Sequence, residues 1–268
     1  MPAEAHPIDE ATTLTGSPGD WTARISETWF LITDIPHGGV SAALLMQAAQ
    51  QLDPERKIRT FTCQLMAPLL GEVSVRAAVV RSTRSLSVVS VEASSGGAVA
   101  AIATVVLGSV IPSTARRDFA NPPQVPPVED LPDLVAMGPA LFPRFIQEHV
   151  DFRPALGTPF AGGDSPELAG WLRPRTPRRM DDRLVAVLLD ALPSAISAIA
   201  DGFKIAPTVE FSIAFDQEAI AGVGEGEWTL CHAQNWAAGE GWSLEDADLF
   251  SSAGVLLGKG RQLRRLGF

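Results

Sequence analysis

The residue whose type and setting most demand explanation is Asp190. It stands in LVAVLLDALP, where every near neighbour is apolar. An ionised carboxylate buried without partners is very costly, so Asp190 must be hydrogen-bonded, neutral or open to a cleft. Two roles meet that condition: an anchor for backbone groups around Pro193, or a general base. A second feature is Pro36-His37-Gly38-Gly39, which opens the helical run VSAALLMQAAQQL. A helix N-terminus presents free N–H groups, its dipole favours negative charge, and glycine lets a ligand approach the chain closely. The turn can therefore stabilise an oxyanion, or be no more than a tight turn. A third is the cluster Arg173, Arg175, Arg178 and Arg179 in WLRPRTPRR, to which Lys259, Arg261, Arg264 and Arg265 add charge. Arginine suits phosphate, although such runs also serve as plain solvated faces.

Other chemistries lack their residues. No G-x-S-x-G elbow is present, so a Ser-His-Asp hydrolase has no nucleophile. Cys231 and His232 are adjacent on a strand-like run, so their side chains point to opposite faces and form no Cys–His pair. The histidines His6, His37, His149 and His232 show no metal-ligand spacing. Gly222-Val223-Gly224-Glu225-Gly226 lies between strand-like runs and opens no helix, so it is no dinucleotide fingerprint. Trp228, Trp236 and Trp242 are expected to pack the second sheet.

The chain of 268 residues is long enough for one large domain or two small ones, and 46% hydrophobic against 19% charged residues is a globular balance. No apolar run reaches the ~18 residues needed to cross a bilayer. The N-terminus MPAEAHPIDEATTLTG has no basic region followed by an apolar one, which argues against a signal peptide. With only two cysteines and no export signal, a reducing cytoplasm is the expected compartment. A net charge of −10 disfavours nucleic acid and anionic membranes as partners. An anionic substrate then needs a local basic patch.

What positions these residues is a repeat. Ser109 to Pro143 carries eight prolines, which suit neither a central strand nor a helix interior, and is expected to be a surface linker with a short helix near Leu131–Met137. It divides an N-terminal unit, residues 1–108, from a C-terminal unit, residues 144–268. Each unit runs through a short strand, an apolar helix and four strand-like segments. The first unit offers a strand near Arg24–Phe30, the helix at Val40 and then IRTFTCQLMAPL, GEVSVRAAVV, SLSVVSVEAS and AVAAIATVVLG. The second offers AGWLRPR, DDRLVAVLLDALPSAISAIA, APTVEFSIAF, GEWTLCHAQNW, SLEDADLFS and GVLLGKGRQLRRL. Thr60 corresponds to Thr208 and Gly97 to Gly254; Val105 then corresponds to Gln262 and Met46 to Asp190, two places where the second unit is polar and the first apolar. Short links between strands predict an antiparallel meander in each unit. Both helical runs are apolar nearly all round, hence buried, with Pro193 expected to kink the second near Leu189. A helix wrapped by a curved antiparallel sheet, built twice, is an α+β double hot-dog arrangement.

PHGGVSAALLMQAAQQ, RTFTCQLMAPL, LLDALPSAI, PTVEFSIAF and VLLGKGRQL together resemble acyl-CoA thioesterase II and the wider double hot-dog thioesterase-like family. The resemblance spans about Trp29 to Leu266 except the linker. It implies hydrolysis of a fatty acyl-CoA to free fatty acid and coenzyme A, with no cofactor and no metal. It also implies that Asp190, Thr208 and Gln262 hold the nucleophilic water, since the family places an Asp, a Thr or Ser and a Gln on those elements. In related hot-dog enzymes the glycine turn faces the catalytic carboxylate, which here places His37, Gly38 and Gly39 opposite Asp190. The basic cluster would then meet the phosphates of coenzyme A. Further pairing of sheets into a homo-oligomer stays open. Two alternatives remain: an acyl-thioester-binding protein without turnover, and a hydratase or dehydratase. Position 195, where hydratases of this fold carry a His, is Ala.

Overall fold

The four strand-like runs that follow each helix all form strands in the computed structural model, which describes residues 5–32, 34–111, 117–202 and 205–267. The first half contains α1 (Pro7–Ala11), β1 (Thr15–Ser17), β2 (Asp20–Ala23), the short ribbon β3 (Phe30–Ile32) and β4 (Ile35–Pro36), and α2 (Gly38–Leu52). Then come β5 (Lys57–Leu65), β6 (Val73–Ser82), β7 (Leu86–Ser95) and β8 (Ala98–Gly108). The second half contains α3 (Leu134–Met137), α4 (Arg144–His149), β9 (Val150–Leu156), β10 (Glu167–Pro174) and α5 (Asp182–Leu189). It ends with β11 (Thr208–Phe215), α6 (Gln217–Ala221), β12 (Thr229–Gly239), β13 (Trp242–Ser251) and β14 (Leu256–Arg265).

Twelve strands form one antiparallel sheet in the order β1-β2-β6-β7-β8-β5-β11-β14-β13-β12-β10-β9. The order reads as the same six-strand series from either edge, with β5 and β11 at the centre. Cys63 lies opposite Phe211 and Thr62 opposite Ser212 in that central pair. The expected meander holds only in part: the first strand after each helix pairs with the last, β5 with β8 and β11 with β14. In that place each first strand can also join the two halves into one sheet. The strand expected over Arg24–Phe30 falls earlier, as β2, and Glu27–Trp29 form a 3₁₀ turn capped by the Ser26 hydroxyl.

The ladders also alter one correspondence. Val105 lies opposite Phe61, whereas Gln262 lies opposite Phe211. If Val105 stands for Gln262, then Phe61 stands for Phe211 and Thr60 for Glu210, two residues past Thr208. The offset is even, so the face is preserved.

Helices α2 and α5 lie side by side on the inner face, with Val40, Leu44, Leu45, Met46, Val185 and Leu188 all buried. The second helix is shorter than its apolar run suggests. It ends at Leu189, and Asp190 is its C-cap at φ −103°, ψ 6°, not a mid-helix residue beside a kink. Pro193 is the reason: it has no N–H for the Leu189 carbonyl, and its ring would crowd that carbonyl in a continuing helix. After a break the chain resumes as a 3₁₀ turn, Ala195–Ala198.

The proline-rich segment crosses the outer face of the second half, and α3 falls within the expected Leu131–Met137. The Trp171 indole donates to Pro126 O (3.0 Å), and Ala120 and Val125 pack with Ala169, Leu230 and Phe250. Residues 112–116 of that segment lie outside the described residues. Trp236 and Trp242 do not pack the sheet: they are 62% and 43% exposed. Trp228 lies under Arg173, whose guanidinium carbon is 4.4 Å from the ring centroid.

At the start of α5, Asp182 is half-buried and accepts from the Gln217 amide. Burial pushes its carboxyl up to about 6. A raised carboxyl favours the fold below its unfolded value of 3.8, and that contribution is lost as pH rises through about 6. Asp182→Asn is therefore expected to raise Tm at pH 7.5 and to leave it nearly unchanged at pH 4, as thermal melts at the two pH values would show.

Candidate active site

Asp190 ends α5 where α2 begins, so the carboxylate meets the glycine turn across the junction of the halves. The Gly39 N–H donates to Asp190 Oδ2 (2.8 Å). Both glycines are required there. A Cβ on Gly38 would lie 2.8 Å from Asp190 Oδ2, and one on Gly39 would lie 2.6 Å from Ala186 O and 2.8 Å from Val187 Cα. His37 precedes the helix and is buried. Its Nε2 donates to Asp190 O (2.8 Å), which makes Nε2 the protonated nitrogen, and lies 3.4 Å from Oδ2. The ring stacks on Phe145 at 4.1 Å. Burial lowers the His37 pKa despite the nearby Asp190 charge, which favours the neutral ring at the head of the turn.

The last strand supplies the other oxygen's partners. Gln262, 1% exposed, donates from Nε2 to Asp190 Oδ1 (2.9 Å). Thr208 sits at the start of β11, opposite β14, and its hydroxyl donates to Gln262 Oε1. The amide is thereby held with its NH₂ toward Asp190. Asp190, Thr208 and Gln262 thus form one hydrogen-bonded chain.

The structure adds a member. Arg264, 8% exposed, donates from Nη2 to Asp190 Oδ1 (3.2 Å) and from Nε to Glu245, itself buried on β13. Arg264 is thus no part of a surface patch. Strand parity carries the signal for it: residues two apart share a face, so if Gln262 points inward Arg264 must as well. Glu245 follows in the same way from the buried alternation Glu245, Ala247, Leu249.

Oδ1 accepts from Gln262 and Arg264, while Oδ2 accepts from Gly39. A carboxylate offers about four lone-pair positions. One position on Oδ2 is uncommitted, and it is a place where a water could give up a proton.

The arginines of WLRPRTPRR are not gathered at this site. Arg173 and Arg175 pair with Asp151 (3.0 and 3.3 Å), and Arg178 with Asp9 and Asp181 (2.9 and 2.8 Å). Arg179 is exposed and has no ion pair among the described residues. Register explains the separation. Glu167 is level with Gln234, Asp246 and Arg261, and Arg173 lies six residues further along β10, about 20 Å at strand rise. Lys259 and Arg261 pair with Asp248 and Asp246, and Arg265 is exposed. Among the described residues no group of His, Cys, Asp or Glu gathers to hold a metal ion, and no helix is long and apolar enough to cross a membrane.

A sheet with two helices on one face, doubled about β5 and β11, defines the double hot-dog class. Comparison with known proteins places the chain within it. Residues 25–108 match the acyl-CoA thioesterase N-terminal domain and residues 122–265 the C-terminal domain, so the chain belongs to the acyl-CoA thioesterase family. A hot-dog protein of unknown function from Alicyclobacillus acidocaldarius is 26% identical, with a TM-score of 0.89 over 99% of both chains. A protein provisionally assigned as a thioesterase II from Thermobifida fusca is 19% identical, with a TM-score of 0.82 over 98% of this chain and 100% of that one. An acyl-CoA thioesterase II from Mycobacterium marinum is 20% identical, with a TM-score of 0.74 over 97% and 98%. A search of curated protein sequences found no significant match.

Proposed function

We propose that this protein hydrolyses the thioester of a fatty acyl-CoA, with Asp190 as general base. The observation that carries the reading is the Asp190 carboxylate, fixed by Gln262, Arg264 and Gly39 with one lone-pair position of Oδ2 not taken by a hydrogen-bond donor. A water on that oxygen would lose a proton to Asp190 while its own oxygen attacks the thioester carbon. Charge then gathers on the carbonyl oxygen. Gly39 N–H is committed to the carboxylate, so the oxyanion role falls to the Gly38 N–H in the same first turn, whose amides have no partner inside the helix. The C–S bond breaks, the sulfur takes the proton from Asp190, and the products are a free acid and a thiol. Gln262 and Thr208 orient water and base without competing as nucleophiles.

Thiol release from a panel of acyl-CoAs of increasing chain length tests the proposal. Hydrolysis of at least one member is expected, and binding without release from any would overturn it. That second outcome is the alternative reading, an acyl-thioester-binding protein. It has one observation in its favour: Asp190 is buried and already holds three donors.

Thr208→Val separates orientation from binding. Without the hydroxyl the Gln262 amide can turn its oxygen toward Asp190. A fall in kcat of about tenfold, equal to about 1.4 kcal/mol, is expected with KM little changed. Steady-state kinetics on the preferred acyl-CoA would show it.

A further inference from the structure

Two buried carboxylates share one buried cation beside the site. Arg264 donates from Nε to Glu245 Oε1, from Nη2 to Asp190 Oδ1 (3.2 Å) and from Nη1 to Ala206 O (3.1 Å). Glu245 uses its other oxygen to accept from the Ser194 hydroxyl (2.6 Å) and the Ala195 N–H (2.9 Å). The guanidinium is therefore held on three sides, and Glu245 ties β13 to the segment that follows Asp190. Burial pushes the Arg264 pKa down, but Glu245 and Asp190 outweigh it and hold the group above its ordinary value. A permanently charged planar fork with fixed donor directions is suited to setting the orientation of a carboxylate.

We propose that Arg264 is a positioning residue for water activation. Its fork fixes Oδ1 and the carboxylate plane of Asp190, so that Oδ2 is the oxygen turned to the water, and Glu245 aims the fork. The proposal rests on the hydrolytic reading of the site. It gives the buried Glu245, which touches neither Asp190 nor the glycine turn in any hydrogen bond, a reason to be there.

Few other charges face Asp190. From the entrance of α2 comes His37, kept neutral by burial, and from β14 and β13 come Arg264 and, through it, Glu245. Cys63 on β5 and Cys231 on β12 also feel the Asp190 charge, but burial above all pushes both thiols up, Cys63 to about 12. Neither thiol titrates between pH 4 and 9.

The test uses the full chain and the acyl-CoA it hydrolyses fastest. Arg264→Gln combined with Glu245→Gln removes the cation together with one of the two carboxylates that share it, so that Asp190 is the only one of the three charges left in the core. With folding checked by circular dichroism, kcat is expected to fall about 10- to 100-fold with KM within about twofold. The acid limb of log kcat should also move to higher pH, because a carboxylate without its adjacent cation takes up a proton more readily. Arg264→Lys should return the limb toward its wild-type position while recovering only part of the rate, since it restores charge without the fork. A folded double variant with wild-type kcat and an unmoved limb would overturn the proposal. Should the double variant not fold, Arg264→Lys decides: full wild-type rate overturns it, and a reduced kcat with a wild-type limb supports it. A wild-type protein that releases no thiol overturns the hydrolytic reading itself, and the positioning role with it.

Discussion

Asp190→Asn is expected to lower kcat by about 10²- to 10⁴-fold, the range that a general base contributes. The substitution keeps the shape of the side chain and removes its capacity to take a proton. It also places an NH₂ among donors, since Gly39 N–H, Gln262 Nε2 and Arg264 Nη2 all point at the native oxygens. One of those contacts becomes donor against donor, at a cost of about 1–3 kcal/mol. Arg264 keeps Glu245 as its counter-charge, so no buried ion is orphaned. The variant should therefore fold, melt a few degrees lower and bind acyl-CoA without releasing thiol. Wild-type kcat in a folded Asp190→Asn protein would remove Asp190 from the chemistry.

Gly39→Ala should do most damage to the fold itself. The new methyl would sit 2.6 Å from Ala186 O and 2.8 Å from Val187 Cα, both backbone atoms of α5. Backbone cannot swing aside as a side chain can, so the two central helices would have to separate. Overpacking of this kind costs about 3 kcal/mol or more, which for a chain of this size lowers Tm by roughly 10 °C. Gly38→Ala makes an instructive contrast. Its methyl would meet the Asp190 Oδ2 side-chain atom at 2.8 Å, so the carboxylate is displaced and the helices are not. Activity should fall steeply in Gly38→Ala with a small change in Tm, and stability should fall steeply in Gly39→Ala. Thermal melts and kinetics on the pair would show the inversion, and equal melting temperatures would contradict the packing described for Gly39.

The elements of this fold were legible in the sequence because strands and buried helices carry distinct apolar periods, and because the same order of runs occurs twice. Asp190 stood out since a carboxylate among apolar neighbours must find partners, whether it anchors backbone or acts as a base. What the patterning could not convey was long-range pairing. β5 and β6 are consecutive, yet β5 pairs with β8 and β11, and nothing local specifies that choice. Pro193 was visible, but nothing local specified whether the helix would continue through it with a kink or end before it, as it does at Leu189. Arg264 was read among surface charges because clusters of Lys and Arg are usually solvated. Strand parity from Gln262 would have turned it inward and led through register to Glu245. The arginines of WLRPRTPRR had the right chemistry for phosphate and the wrong partners: Asp9 and Asp151 are remote in sequence, and Asp181, three residues past Arg178, caps the helix that follows.

Water activation by Asp190 is tested most directly by hydrolysis in H₂¹⁸O. Wild-type protein given the acyl-CoA it prefers should release one thiol per free acid, with one ¹⁸O in each carboxylate after a single turnover. Asp190→Asn should yield neither product above background while still binding the thioester. A wild-type protein that binds acyl-CoA and releases no thiol, or an Asp190→Asn protein that incorporates ¹⁸O at the wild-type rate, would contradict it.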